Sequence, residues 1–337
     1  MAITLAQAMV NAANDIDYAI IDDMRRYDGL LIDNFTWDDT VNPTGGSTLV
    51  YGYTRLLTPA SATTRAINSE YAPQKATRTQ VTVGLKQWGT AFELDRVLAN
   101  LGQAATNELN FQLNQATIST RMKFNEMVIR GDTAVDANAF DGLSKILTGS
   151  TTEVNTTTLD LRPATITTQA LALAALDRID AWLATIFASR MGSGQGTMAG
   201  AVPPGVRMIL TNTTGFLRLQ SVFRLAGLYT LSRDSLGREL NQYKDWTLVN
   251  LGDLNDGSGP IIPIGASVAG ETDLYAVSLG LDALHGASVA GKPLLQTFMP
   301  RFDLPGAVKF GELEMGPAAL VLKSTKSAGV FRKVQVQ

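Results

Sequence analysis

The sequence predicts an α+β fold in which helices and strands mix without regular alternation. Three observations predict it. Two runs rich in β-formers, residues 49–57 (LVYGYTRLL) and 77–88 (TRTQVTVGLKQW), are separated by a long polar connection. A helical apolar period occupies residues 102–130. After it, helical and extended segments follow one another without the βαβ rhythm of a doubly wound enzyme, and no internal repeat is evident.

The chain has 337 residues, enough for two or three packed units. With 45% hydrophobic and 18% charged residues it reads as globular, because disordered chains carry more charge and less apolar surface. A net charge of −3 argues against a protein whose main task is gripping nucleic acid through its phosphates. The absence of cysteine removes disulfides, thiolate metal sites and cysteine nucleophiles. Residues 1–10 lack a basic leader, acidic residues follow at Asp15, Asp17, Asp22 and Asp23, and no stretch approaches the ~18 apolar residues of a membrane helix. The expectation is a soluble protein made in the cytoplasm, with no membrane partner.

Charge is uneven along the chain. Residues 1–40 hold eight Asp and two Arg, a balance of −6 that leaves +3 for the remainder. From Arg55 to Lys86 there are five basic residues and one Glu. Ordinary solvated surface explains both; the sharper reading is that an acidic arm and a basic loop from different copies meet in an assembly.

Residues 3–33 read as one or two helices carrying Leu5, Met9, Ile16, Ile20, Met24 and Leu31 on an apolar stripe, with Gly29 as a candidate end. Pro43 and Gly45-Gly46 then break the chain. In the first β-rich pair, Val81, Val83 and Leu85 alternate with Thr82, Gly84 and Lys86. The connection TPASATTRAINSEYAPQKA holds only Ile67 and Tyr71 as large apolar residues. A polar link of this size is uncommon inside a compact domain, and a lone two-stranded hairpin is marginal in water. The segment therefore needs a surface outside its own core, and a neighbouring copy would supply one.

Phe92 to Arg96 reads as a short extended piece. The helix predicted at 102–130 would span roughly 40 Å, long enough to act as a spine. It stops at Gly131-Asp132, taken as a C-terminal glycine stop, and residues 138–143 make a tight turn. The Thr-rich stretch 148–158 reads as a linker or surface loop. Residues 167–190 form a second amphipathic helix, with Thr167 or Thr168 as N-cap, and 191–205 reads as flexible. Strands are expected at 206–210, 274–279 and 308–321, a helix at 213–225 and a turn at 252–260.

Catalytic candidates are few. His285 is the single histidine, which leaves His relays and multi-His metal sites without members; a packing or surface role is expected for it. Gly192-Ser193-Gly194-Gln195-Gly196 lacks the Lys-Ser/Thr ending of a phosphate loop and follows a helix rather than a strand. Asp253-Leu254-Asn255-Asp256-Gly257 resembles a calcium loop, but its glycine falls one position early and Ile264 stands where a Glu is required. Arg130-Gly131-Asp132 spells an adhesion tripeptide at a helix end. The pairs Asp22-Asp23 and Asp38-Asp39 make poor acid–base partners, since sequence neighbours point apart on a helix. The asparagines at 34, 155 and 212 open Asn-x-Thr sequons, which matter only in a secreted chain. No catalytic, cofactor-binding or metal-binding residue is assigned, and no enzyme is expected.

Several segments, in order, resemble the tailed-bacteriophage major capsid proteins of the Hong Kong 97-type fold. Gly89 followed by Phe92-Glu93-Leu94-Asp95-Arg96 resembles the family's segment leading from its extended loop into its spine helix. Arg130-Gly131-Asp132 and then Phe140-Asp141-Gly142-Leu143 are similar to the pair that follows that helix, with Arg130 where the family commonly has Asn. Ser235-Leu236-Gly237-Arg238, residues 243–252 and Ile261-Ile262-Pro263 resemble an axial-domain hairpin pattern; Asp273 to Val277 resembles the strand returning to the peripheral domain.

The resemblance covers nearly the whole chain. It implies an N-terminal arm at 1–44, an extended β-hairpin loop at 45–90, a peripheral domain with the spine helix at 91–160, an inserted axial domain at 161–280, and a return to the peripheral domain at 281–337. It also implies self-assembly into hexamers and pentamers of an icosahedral shell around double-stranded DNA, in the virion and, during assembly, in the host cytoplasm. Portal and decoration proteins are implied partners, and contact with packaged DNA would be weak and non-specific. Because the predicted elements begin almost at Met1, a separate scaffolding protein or an already trimmed chain is expected. Some members carry a Lys–Asn cross-link; Lys75 and Lys86 lie in the loop, but no Asn or Glu matches, and none is assigned. An encapsulin-type compartment shell is the alternative within the fold. An unrecognised soluble binding protein or hydrolase is the alternative outside it.

Overall fold

The computed structural model describes residues 30–41, 49–97, 108–186, 206–228, 230–233, 239–265 and 270–337. Most of the helical reading of residues 3–33, the breaks at Pro43 and Gly45-Gly46, the start of the 102–130 helix, the loop 191–205 and Ser235 to Arg238 lie outside these residues.

A short helix α1 (Leu30–Asp33) leads into strand β1 (Trp37–Val41). Strands β2 (Val50–Thr58) and β3 (Thr77–Gly84) pair antiparallel as a two-stranded ribbon. Strand β4 (Lys86–Asp95) follows, then the long helix α2 (Glu108–Arg130) and the single turn α3 (Leu143–Ile146). Two short strands, β5 (Glu153–Val154) and β6 (Leu159–Asp160), precede helix α4 (Gln169–Leu183). Next come β7 (Arg207–Thr211), helix α5 (Thr213–Ala226), β8 (Thr230–Arg233), β9 (Glu239–Tyr243) and β10 (Trp246–Asn250). The chain closes with β11 (Glu271–Ser278), β12 (Leu284–Val289), β13 (Leu295–Phe298), β14 (Val308–Leu322) and β15 (Ala328–Gln335).

Strand β14 organises the first sheet. One edge of it pairs with β4 from Val308 to Ala318; the other takes β13 at Glu312 to Met315 and β12 at Ala318 to Leu322, with β1 parallel to β12 beyond. The second sheet has the order β5-β15-β11-β7-β10-β9-β8, with β6 also on β15. In it β7 and β10 are parallel, and the chain passes between them through α5 and the β8–β9 pair, a parallel crossover that the expected absence of βαβ rhythm does not include.

The second sheet serves two cores because side chains alternate across it. Tyr275 and Val277 of β11, Met208 and Leu210 of β7 and Val249 of β10 face the core built with α2 and the first sheet. Leu274, Ala276, Ile209 and Leu248 face the core covered by α4 and α5. Strands buried on both faces read as continuous apolar runs, which is how 206–210 and 274–279 read.

Local differences from expectation have physical reasons. The predicted run 77–88 is cut at Leu85, which is buried, and the segment from Phe92 joins Lys86 onward as one strand. Its partner β14 lies more than 200 residues later, beyond any local signal. The Thr-rich 148–158 is stitched into the second sheet: Thr152 is buried with its hydroxyl 2.8 Å from Ala328 O, and Glu153-Val154 pairs parallel to β15. Helix α4 starts at the predicted cap, where Thr168 Oγ1 accepts from Leu171 N at 3.4 Å, but it ends at Leu183 with 184–186 already outside the helix, short of the predicted Arg190; residues 187–190 lie outside the described residues. Gly131 does end α2, but as a close approach rather than a left-handed cap. A Cβ there would sit 2.2 Å from Phe140 O and 2.5 Å from Met127 O.

Candidate assembly surface

The ribbon β2–β3 leaves the body at Val50↔Gly84 and is paired to Thr58↔Thr77, after which residues 59–76 form its tip. The tip is entirely exposed. Ile67 is 91% exposed, Leu57 66%, and Tyr71 and Leu56 are exposed beside them. Among the described residues no second layer covers these four side chains. The tip still has local order: Arg65 donates to Ser69 O at 3.0 Å and stands over the Tyr71 ring, and Ser61 donates to Gln74 at 3.2 Å. Around these lie Lys75 and Arg78, both exposed.

The ribbon's root is fastened to the body. Tyr53 donates its hydroxyl to Leu322 O at 2.7 Å, and Arg55 donates to Leu322 O and Lys323 O at 2.8 and 3.0 Å. Tyr51 is buried and donates to Asp38 Oδ2 at 2.9 Å; burial and that carboxylate push the phenol well above its ordinary value. Of the two loop lysines, Lys86 donates to Ala137 O at 2.6 Å and is tied to the body, and Lys75 is exposed on the tip. His285, read as surface or packing, is a wholly buried member of β12 beside this root.

Below the root, the two motif pieces after the spine helix close on each other. Gly142 N donates to Gly131 O at 2.8 Å, and Lys145 Nζ binds Asp132 Oδ1 at 2.6 Å and Asp141 Oδ1 at 2.8 Å. Arg130, standing where Asn is expected, donates to Ile261 O and Pro260 O at 2.6 and 2.8 Å and so ties the spine to the turn 252–260. That turn is an ordinary one: Ser258 N donates to Asp256 Oδ1 at 3.0 Å. Arg332 crosses to Glu153, to Asp273 Oδ2 at 3.0 Å and to Ser144 O at 2.9 Å. Burial pushes the Asp273 carboxyl up despite that guanidinium. The phosphate-loop lookalike at 192–196 lies outside the described residues.

A second surface was not legible as a site in the sequence. On the solvent face of the first sheet, alternation places Glu93 and Asp95 of β4 beside Phe310 and Val308 of β14, and Glu312 opposite Phe298 of β13. Positions 89, 91, 93 and 95 of β4 and 308, 310, 312 and 314 of β14 hold four carboxylates and no basic side chain. Phe310 is 61% exposed and Phe298 is half exposed. The signal was the alternation of 308–315 itself, but only the pairing with β4 and β13 gathers the acids on one face.

No known protein family and no curated protein sequence matches the chain. Solved structures do. The holo-SrpI encapsulin complex from Synechococcus elongatus PCC 7942 matches with a TM-score of 0.61 at 10% identity, covering 100% of this chain and 98% of that one. A structure from Mycobacterium phage Ogopogo matches with a TM-score of 0.58 at 12% identity, over 98% and 99% of the two chains. The capsid of Myoviridae phage XM1 matches with a TM-score of 0.56 at 12% identity, over 98% of each. At such identities the likeness establishes the fold: this is an α+β chain of the Hong Kong 97-type capsid fold from end to end.

Proposed function

We propose that this chain is a structural subunit that self-assembles into the icosahedral shell of a tailed phage, around its double-stranded DNA. The observation that carries the reading is the ribbon β2–β3, whose exposed leucines, Ile67 and Tyr71 have no covering layer among the described residues. Self-association buries such surface, and closed symmetry repeats each contact around every vertex. An interface of modest area becomes durable when each subunit is held by several at once. The likeness to the capsid of phage XM1 supports the same reading. No catalytic role is proposed.

The ribbon is basic and apolar; the solvent face of the first sheet is acidic and apolar. Their complementarity makes that face of an adjoining copy the ribbon's counterpart in this reading. Hexamers and pentamers are then the assembling units, with separate scaffolding, portal and decoration proteins as further partners and only weak, salt-sensitive contact with DNA. The division into arm, loop, peripheral and axial parts at 1–44, 45–90, 91–160, 161–280 and 281–337 belongs to this proposal, as do the virion location and assembly in the host cytoplasm.

The encapsulin match favours a second reading, a compartment shell that encloses protein cargo. Expression of the full chain, followed by size-exclusion chromatography and negative-stain microscopy, tests the shell itself; rings, sheets or closed particles are expected, and a stable monomer under all conditions overturns it. Nucleic acid inside particles purified from the native source supports the phage reading, and enzyme cargo without nucleic acid supports the compartment. Removal of residues 58–76 should leave the subunit folded and abolish closure.

A further inference from the structure

His285 lies in β12 with 0% of its side chain exposed; neither ring nitrogen makes a hydrogen bond of ordinary geometry, and only the Ala283 backbone lies near enough to favour a proton on the ring. An imidazole buried without partners is normally avoided, because its lost hydration is not replaced. Its surroundings explain what it could gain. Asp38 of β1 places Oδ2 3.9 Å from His285 Nε2. That same oxygen accepts the hydroxyl of Tyr51, the first buried residue of the ribbon, and lies 3.9 Å from Lys323 Nζ just beyond β14. The Tyr51 ring meets the imidazole edge-on with centroids 5.8 Å apart, and Lys323 Nζ stands over the Tyr51 ring, 5.8 Å from its centre. Asp282, in the turn before β12, and Tyr53, next along the ribbon, complete the polar groups around this point.

One carboxylate oxygen therefore serves the ribbon's root while a silent histidine waits beside it. The geometry points to a proton-operated latch: when His285 takes up a proton, its imidazolium draws Asp38 away from Tyr51 and repels Lys323, and the root of the ribbon is released from the body. No bond is made or broken covalently; the proton comes from solvent and resides on the imidazole. In the seated form, burial first and then Lys323 hold the imidazole down at about 4, against Asp38, which raises it. The released form exposes the ring and restores its ordinary value near 6.5. The released form thus binds more protons between about pH 6.5 and 4, so the seated form is favoured at neutral pH and weakened as pH falls through that window. Below it both forms are protonated and the bias stops growing. The latch is intramolecular and stands whether or not the chain forms shells.

The experiment exploits two features of the sequence: one histidine and no cysteine. Histidine carrying a carbon-13 label in the full chain reports His285 alone by NMR. Nitroxides on Thr79→Cys in the ribbon and Asp256→Cys in the body report their separation by pulsed electron paramagnetic resonance. A narrow distance distribution is expected at pH 7.5, broadening in step with titration of the histidine signal. His285→Gln should keep the narrow distribution across the same range. Asp38→Asn retains an acceptor for Tyr51 without the charge, and should move the midpoint to lower pH; it serves equally if His285→Gln does not fold. The proposal is overturned if the ribbon distance is constant while the imidazole titrates, or if the signal stays neutral until the whole chain unfolds. Broadening in His285→Gln as in the parent, or an unmoved midpoint in Asp38→Asn, also overturns it.

Discussion

Trp88 stacks on Phe124 with ring centroids 5.9 Å apart and planes 15° from parallel. The strand that leaves the ribbon and the middle of the spine helix thus share one aromatic contact, which Phe140 and Phe35 close edge-on from two sides. Phe124 is fully buried, so Phe124→Ala should cost about 3–5 kcal/mol through lost transfer energy and an unfilled cavity. Urea denaturation of the subunit measures it. A loss below about 1 kcal/mol would mean that the knot is not the centre of the first core.

Gly131 and Gly149 offer a contrast between two reasons for glycine. At Gly131 the space for a Cβ is already taken by two backbone carbonyls, Met127 O in the last turn of α2 and Phe140 O in the turn that closes on it. At Gly149 the space is open and only a φ of +75° disfavours a side chain. Gly149→Ala should therefore cost about 1–2 kcal/mol, the penalty of a left-handed residue with a Cβ. Gly131→Ala should cost more than that and lower the yield of folded chain. Thermal unfolding of the two variants side by side decides the order.

The architecture was legible where physics is local. The ribbon's alternation, the spine's period up to Arg130, the Thr168 cap and the strand at 308–321 are set by neighbours in sequence, and the structure keeps them. Three things were not legible. The fusion of Lys86 to Asp95 into one strand depends on a partner some 220 residues later. The burial of Thr152 depends on Ala328, and nothing in a Thr-rich run announces it. The acidic face appears only when three distant strands are laid side by side. His285 illustrates the same limit: a lone histidine between a strand and a turn carries no sign of being buried against Asp38.

Asp160 gives a prediction in acid. Hydrogen bonds from Arg162, its own near neighbour, draw its carboxyl down to about 2. A depressed folded value means stability that is present above the unfolded value near 3.8 and is lost as pH falls towards about 2. The pair is partly exposed, so solvent screening limits it to about 1 kcal/mol or less. Asp160→Asn should lose that amount at pH 7 and show a shallower fall in stability between about pH 4 and 2, as urea midpoints at each pH will report. An acid limb as steep as the parent's would show that Arg162 does not stabilise the folded chain.

Charge reversal tests the pairing of ribbon and sheet face. Lys75→Glu with Arg78→Glu changes side chains that are exposed, so the subunit's own stability should stay within about 0.5 kcal/mol. Shell yield should fall sharply, because the altered ribbon meets carboxylates on the adjoining copy. Glu93→Lys with Glu312→Lys should do the same from the other side. In a chain carrying all four changes the charges at these positions are exchanged between ribbon and face, so their attraction is restored and shell yield should recover towards that of the parent; the recovery is the coupling that a double-mutant cycle isolates. Were the four changes merely to add their losses, the ribbon would have to rest on some other surface. Raising the salt concentration supplies an independent readout, since screening should weaken assembly of the parent and of the fully reversed chain while lessening the defect of either half-reversed chain.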